Sequence, residues 1–301
     1  MQTRVLTFND EAIAEAARLI LAGEPVAMPT ETVYGLAADA TNAEAVARIY
    51  AAKGRPSFNP LIVHVPDMES AQRIGKFSDK AEALARIHWP GPLTLVVPLR
   101  GDAGIASIVT AGLPTIAIRV PQHPAMQALL RKVSRPLAAP SANESGSISP
   151  TRAQHVMQSL GGRIPLIIDA GRSERGLEST IVAVTTGELR LLRPGPIQID
   201  AKVASCEKIE APGQLQSHYA PSKPLRLNAT TADPDEYLVG FGPVVGDATL
   251  SPPGDLVEAA ARLFDLLHEA DASPKKTIAV APIPNEGLGA AINDRLRRAA
   301  A

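Results

Sequence analysis

The sequence is poor in cysteine, in aromatic side chains and in net charge. Cys206 is the only thiol in 301 residues, so neither a disulfide framework nor a cysteine-based zinc site is available. That composition fits a reducing compartment, and the expectation is a soluble cytoplasmic protein. Aromatic residues make up 3% of the chain, so Ala, Val, Leu and Ile must fill the core. The same scarcity leaves no aromatic-rich basic surface for stacking single-stranded nucleic acid. Net charge is −1, which argues against a polybasic nucleic-acid binder, while a local basic cavity can still sit inside a neutral total. The N-terminus, MQTRVLTFNDEA, lacks a signal-peptide core, and no apolar run is long enough to span a bilayer. Walker A, G-x-G-x-x-G and G-x-S-x-G motifs are absent, and the six histidines show no metal-ligand spacing.

What remains is ordinary globular composition, 45% hydrophobic and 20% charged, at a length that leaves one or two domains open. Asn9 or Asp10 caps a first helix with Ile13, Ala17 and Ile20 on one face, ending near Gly23. A strand over 26–28 runs through a polar turn into a helix over 43–52, and a second strand covers 61–65. A helix from Ser78 to Ile87 is broken by Trp89-Pro90-Gly91-Pro92. Strands over 93–98 and 115–120, a helix over 124–132 and a short strand over 136–139 follow. Ser149-Pro150 reads as a hydroxyl cap with proline at the first helical position, opening a helix to Leu160. A strand over 164–169 precedes a hairpin of 180–185 with 188–192 around Gly187. The stretch 194–224 is rich in Pro, Gly and polar residues and reads as a linker. Beyond it, strands over 225–228, 237–241 and 277–283 alternate with helices over 255–269 and 289–298. The expectation is an α/β protein with a mixed parallel and antiparallel sheet flanked by helices. A catalytic domain would span 1–200, a linker 201–224, and a small C-terminal α/β domain 225–301.

The stretch with most chemistry is PTETVYGLAADATNAEAVARIYAAKGRPSFNPLIVHV, residues 29–65. Lys53 and Arg55 follow a helix in a loop stiffened by Pro56 and Pro60. Two readings fit them: cations favouring a helix C-terminus, or a fork and an ammonium for a polyphosphate. Thr30, Glu31 and Thr32 suit either a plain N-cap cluster or a carboxylate or phosphate cradle. His64, inside LIVHV, is either a satisfied core residue or a site residue beside Arg55 and Asn59. Thr115 and Arg119 lie an even number of residues apart on TIAIR, so both face one side of the sheet. An arginine there needs a partner or a ligand, and the ligand is favoured. Ser141 and Asn143 form a polar turn or a binding loop, Ser149 is explained by its cap, Ser179 opens a strand, and Arg193 closes the hairpin. Together these residues describe a cavity rich in cations and hydroxyls, without an obvious nucleophile, for a phosphorylated ligand and a small polar co-substrate.

The motifs PTETVYGL, KGRPSFNPLIVHV, WPGPLTLVVP, TIAIRVP, PLAAPSAN and GLESTIV, in that order, closely resemble the YrdC-like family. LSPPGDLVEAAARLFDLLHEAD, GLGAAINDRLRRAA and the linker motif PGQLQSHYAP resemble its longer, two-domain threonylcarbamoyl-AMP synthases, with Gln214 where the pattern has Met. The resemblance implies a twisted mixed sheet of YrdC/RibB-like type around a basic concave cavity. It implies that L-threonine, bicarbonate and ATP give L-threonylcarbamoyladenylate, pyrophosphate and water, the first step of tRNA threonylcarbamoyladenosine modification beside the anticodon. By motif position, Thr32, His64, Arg119 and Ser179 would line the threonine site. Arg55, Asn59, Thr115, Ala139, Ser141, Ser149, Arg193 and Tyr219 would contact ATP, with Tyr219 reaching back from the linker. Lys53, Arg55, Ser141 and Asn143 match the paired K-x-R and S-x-N signature and would be catalytic. Mg²⁺ is expected with ATP, without a protein-held metal, and the product is expected to pass to the tRNA threonylcarbamoyl transferase machinery. Two rival readings stay open: a double-stranded RNA-binding module using the same basic cavity, with at most weak RNA binding otherwise, and a related carbamoyl-transfer or sugar-phosphate enzyme.

Overall fold

Short apolar runs of period two, separated by amphipathic helices, assemble into two sheets. The computed structural model describes residues 1–185, 188–203, 210–212 and 217–301; Cys206, the hairpin turn at Gly187 and Gln214 lie outside the described residues. In chain order the first unit runs β1 Arg4–Thr7, α1 Asp10–Leu21, β2 Val26–Met28, β3 Gly35–Asp39, α2 Ala43–Lys53, β4 Ile62–His64, α3 Met68–Ile74, α4 Asp79–His88 and β5 Leu93–Pro98. It continues with α5 Ser107–Thr110, β6 Thr115–Arg119, α6 Pro124–Val133, β7 Leu137–Ala138, α7 Ala153–Leu160, β8 Leu166–Asp169, β9 Thr180–Ala183, β10 Arg190–Arg193 and β11 Lys202–Val203. These strands form one sheet in the order β1-β8-β2-β3-β7-β4-β6-β5-β9-β10-β11. The sheet is mixed, as expected: β4 runs parallel to β6, while β5 is antiparallel to β6 and parallel to β9.

Alternation along the strands builds a core on each face. Val26, Met28 and Ala37 pack with Ile13 and Ile20 of α1 and with Met126 and Leu130 of α6. Ala27, Leu36 and Ala38 point the other way, toward Val46 and Ile49 of α2. The same rule places the polar residues. Parallel register sets Ile62 beside Ala117 and His64 beside Arg119, so the two polar side chains are neighbours on the face that also carries Thr115.

The second unit comprises β12 Leu225–Arg226, β13 Glu236–Gly240, β14 Ala248–Thr249, α8 Leu256–Ala272, β15 Thr277–Val280 and α9 Leu288–Ala299. Its strands form a parallel sheet in the order β12-β15-β13-β14. Val239, Leu263, Phe264 and Ile292 centre its core, which continues into Val33, Ile148, Leu177 and Tyr219. The second unit is therefore joined to the loops of the first by shared apolar packing.

Several expectations need correction. The polar turn after β2 does not run straight into a helix, because Gly35–Asp39 forms a strand antiparallel to both β2 and β7. Its small residues, GLAAD, carry little strand propensity, and pairing on both edges decides. Ser149 does not cap α7: that helix starts at Ala153 with Arg152 as N-cap and no side-chain cap bond. The Ser149 hydroxyl donates instead to the buried Glu178 carboxylate. The stretch read as linker from residue 194 begins as a packed segment, where Ile197 exchanges hydrogen bonds with Thr180 Oγ1 at 2.8 and 2.9 Å.

Candidate active site

The cavity opens over the polar face of β4 and β6 and is covered by the segment carrying His218 and Tyr219. Thr32, Arg55, His64, Arg119, Ala139, Ser141, Ser179, Arg193 and Tyr219 all line it. Lys53, Asn59 and Ser149 are buried one hydrogen bond behind that wall, and Asn143 is buried behind Lys53. Lys53 Nζ donates to the Ser141 carbonyl at 2.6 Å and to the Asn143 carbonyl. Arg55 Nε donates to the Asn59 carbonyl at 3.2 Å, while both amide atoms of the Asn59 side chain lack a protein partner. Thr115 stands at the opposite end of β6 from Arg119, paired with Pro98, and does not line the cavity.

The α2 helix ends at Gly54, whose φ of 59° is the left-handed turn that glycine adopts at least cost. That turn separates Lys53 from Arg55 and sends them to different tasks. Lys53 is fully buried, and desolvation, with Arg55 nearby, pulls its pKa well below the usual lysine range. It fastens the 141–143 turn to α2. Arg55 is also buried, fixed by the Asn59 and Pro60 carbonyls, and burial lowers its pKa to about 10, with Arg193 adding to the push. It stays charged at neutral pH and faces the cavity.

Arg119 corrects an expectation. It does not wait for a ligand alone: Nη2 donates to Glu31 Oε1 at 2.6 Å, Nη1 to Thr32 Oγ1 at 2.9 Å and Nε to the Gly91 carbonyl at 3.1 Å. Burial pushes the Glu31 carboxyl up, but Arg119 outweighs it and the pKa falls below the usual carboxylate range. Beside this pair His64 is held neutral, its pKa pulled to about 3 by burial and then by Arg119, and its Nδ1 has no protein partner. Ser179 shares a hydroxyl contact with Thr94 at 2.7 Å and accepts from Arg193 Nη2 at 3.1 Å.

Sequence reasoning missed Glu178 and His218, and it weighed Thr30 and Glu31 only as a cap cluster or cradle. Thr30, Glu178 and His218 line the cavity, and Glu31 braces Arg119. Glu31 was legible as a carboxylate between two threonines, and Glu178 sits inside GLESTIV; a buried acid beside predicted arginines was the available signal. Chemically, the guanidiniums of Arg55, Arg119 and Arg193 converge on the cavity, while Glu178 is its only lining carboxylate among the described residues. Such a site attracts anions and presents hydroxyl and neutral imidazole groups; among the described residues, the wall hydroxyls of Thr30, Thr32 and Ser179 bond to hydroxyls, a carbonyl and guanidiniums, not to a base.

Comparisons with known proteins agree with this geometry. A family model described as Telomere recombination, covering Sua5, YciO and YrdC proteins, matches residues 18–195. A second, the C-terminal domain of threonylcarbamoyl-AMP synthase, matches residues 178–301. The threonylcarbamoyl-AMP synthase of Bacillus subtilis is 40% identical over 99% of this chain and 95% of its own. That of Pyrococcus abyssi is 39% identical over 94% of this chain and 92% of its own. The crystal structure of Pyrococcus abyssi Sua5 complexed with L-threonine superposes with a TM-score of 0.91 at 35% identity, covering 99% of this chain and 98% of that one. Matched end to end in sequence and in fold, the chain belongs to the threonylcarbamoyl-AMP synthase family.

Proposed function

We propose that the cavity joins L-threonine, bicarbonate and ATP into L-threonylcarbamoyladenylate, releasing pyrophosphate and water. The observation that carries the reading is the convergence of Arg55, Arg119 and Arg193 on a cavity without a nucleophile. The threonine amine and bicarbonate first condense to a carbamate with loss of water. A carbamate oxygen then attacks the α-phosphorus, and pyrophosphate leaves with the electron pair of the broken P–O bond. Carbamate and triphosphate repel each other, so fixed cations lower the barrier more than a covalent intermediate would.

In this reading Arg119, already oriented by Glu31 and Thr32, takes the threonine carboxylate, while His64 Nδ1 and Ser179 meet its polar atoms. Arg55, Asn59, Ala139, Ser141, Ser149 and Arg193 take the nucleotide, and Lys53 with Asn143 holds the 141–143 turn in register. Thr115 would reach ATP only where the nucleotide extends beyond the present cavity wall. Mg²⁺ would travel with the ATP phosphates, since Glu178 on the wall is already engaged by Ser149 and Arg295. The labile product would be handed to the tRNA threonylcarbamoyl transferase machinery.

The free space in the cavity is about 50 Å³, far below the ~300 Å³ of a small-ligand pocket. The His218–Tyr219 segment would therefore move aside as a lid to admit ATP. Tyr219→Ala is expected to weaken ATP binding, and unchanged affinity would remove Tyr219 from the lid. The duplex-RNA reading is disfavoured because Arg119 and His64 are each 3% exposed, out of reach of a helix backbone. Pyrophosphate release that needs threonine and bicarbonate together tests the function. A purified protein that releases none, yet binds duplex RNA at physiological salt, would favour the rival.

A further inference from the structure

Arg295 lies on α9 of the second unit, yet it is 0% exposed, the largest fully buried side chain among the described residues. Its Nε donates to Glu178 Oε2 at 2.8 Å, Nη2 to the Pro194 carbonyl at 3.0 Å and Nη1 to Asp294 at 2.8 Å. The guanidinium also stands 5.2 Å from the centre of the Tyr219 ring. Glu178 in turn accepts the Ser149 hydroxyl on its other oxygen. Pro194 follows Arg193 directly. One side chain of the second unit thus touches the supports of three groups assigned above to ATP: Ser149, Arg193 and Tyr219.

From this geometry we infer that Arg295 and Glu178 form a positioning pair through which the C-terminal unit sets the ATP-binding conformation of the cavity. The Glu178 carboxylate fixes the direction of the Ser149 hydroxyl proton, leaving the oxygen's lone pairs turned away from the acid. Arg295 holds Glu178 in place and braces the carbonyl after Arg193 and the face of Tyr219. Burial pushes the Glu178 carboxyl up, but Arg295, then Arg193, outweigh it and hold the pKa below the usual range. Without Arg295 a buried, half-paired carboxylate would take a proton or move, and Ser149 would turn with it. Arg119, assigned above to the threonine carboxylate, is held by Glu31 and Thr32.

The inference rests on the assignment of ATP to this cavity, and binding separates the two. Affinity for a non-hydrolysable ATP analogue with Mg²⁺, and for L-threonine alone, is measured by calorimetry on the full chain for wild type, Arg295→Met, Glu178→Gln and the double variant. Arg295→Met is expected to weaken analogue binding about tenfold, the scale of one charge-assisted hydrogen bond, with threonine affinity within about twofold. The double variant removes the unpaired buried charge, so its melting temperature is expected to recover while analogue affinity stays low. Recovery of both would overturn the inference and leave the pair a structural salt bridge. Should Arg295→Met fail to fold, the double variant decides alone on the same readings. A wild type that binds the analogue but forms no product overturns the reaction and leaves the pair standing; one that binds no analogue overturns both.

Discussion

At the scale of the residue, the site is a set of charges held where burial would not leave them unaided. Arg55 is fixed by two carbonyls and faces the cavity, so Arg55→Ala is expected to lower kcat/KM about 10- to 100-fold. Circular dichroism should show the fold retained, and turnover with unchanged ATP affinity would take Arg55 out of the site. The buried histidines give a pH prediction. His64, His155 and His218 each have their pKa pulled from an ordinary 6.5 to about 3, burial being the largest cause in each. The unfolded chain therefore takes up protons near pH 6.5 that the folded chain refuses until about pH 3. Their contribution is intact above that window and is lost as pH falls through it, at about 1.4 kcal/mol per pH unit for each imidazole. Glu31 and Glu178, both depressed, lose stability in the same direction at lower pH. Urea unfolding at about pH 5.5 should read roughly 4 kcal/mol below that at about pH 7.5; a flat profile would contradict the neutral, buried assignment. Thr32, His64, Arg119 and Ser179 were picked out by motif position and all line the cavity, while the strand parity that set Thr115 on Arg119's face did not bring it there. Arg295 was not picked out, and Glu31 was legible as a carboxylate but not as the partner of Arg119, because a charge's partner 88 or 117 residues away leaves no local trace.

At the scale of the element, caps and turns decide where the chemistry points. Gly54 ends α2 in the left-handed region, and a Cβ there would meet nothing within 4 Å. Gly54→Ala should therefore cost about 1 kcal/mol through the backbone alone, and Gly54→Asn less, as read by urea unfolding. A loss well beyond that would mean that the Lys53 and Arg55 anchors had moved as well. Long amphipathic helices such as α1 and α8 were legible from apolar spacing, with Asn9 and Asp255 capping as their types predict. The two-residue and three-residue strands were less so. β3 exists because β2 and β7 pair with it on both sides, and β11 because β10 does. Ser149 shows the limit of cap rules. Ser-Pro before a helix reads as a cap, but a buried carboxylate is a stronger acceptor than a free amide is a donor.

At the scale of the whole molecule, a net charge of −1 conceals a strongly cationic cavity, and a shared apolar core joins two sheets around it. Val33, Ile148 and Leu177 pack with Tyr219 and with the α8 side chains Leu263 and Phe264, so the loops that carry site residues rest on the C-terminal unit. The division into residues 1–200, 201–224 and 225–301 is thus proposed as a division of sheets more than of function. Among the described residues no helix is long and apolar enough to cross a membrane. The central claim is that one cavity makes a mixed anhydride from three separate substrates. Mass analysis of the products formed from ATP, L-threonine and isotopically labelled bicarbonate tests it most directly. The prediction is threonylcarbamoyladenylate carrying the label in its carbamoyl carbon, with pyrophosphate in equal amount. An unlabelled threonyl adenylate, or nucleotide cleavage indifferent to threonine and bicarbonate, would contradict it.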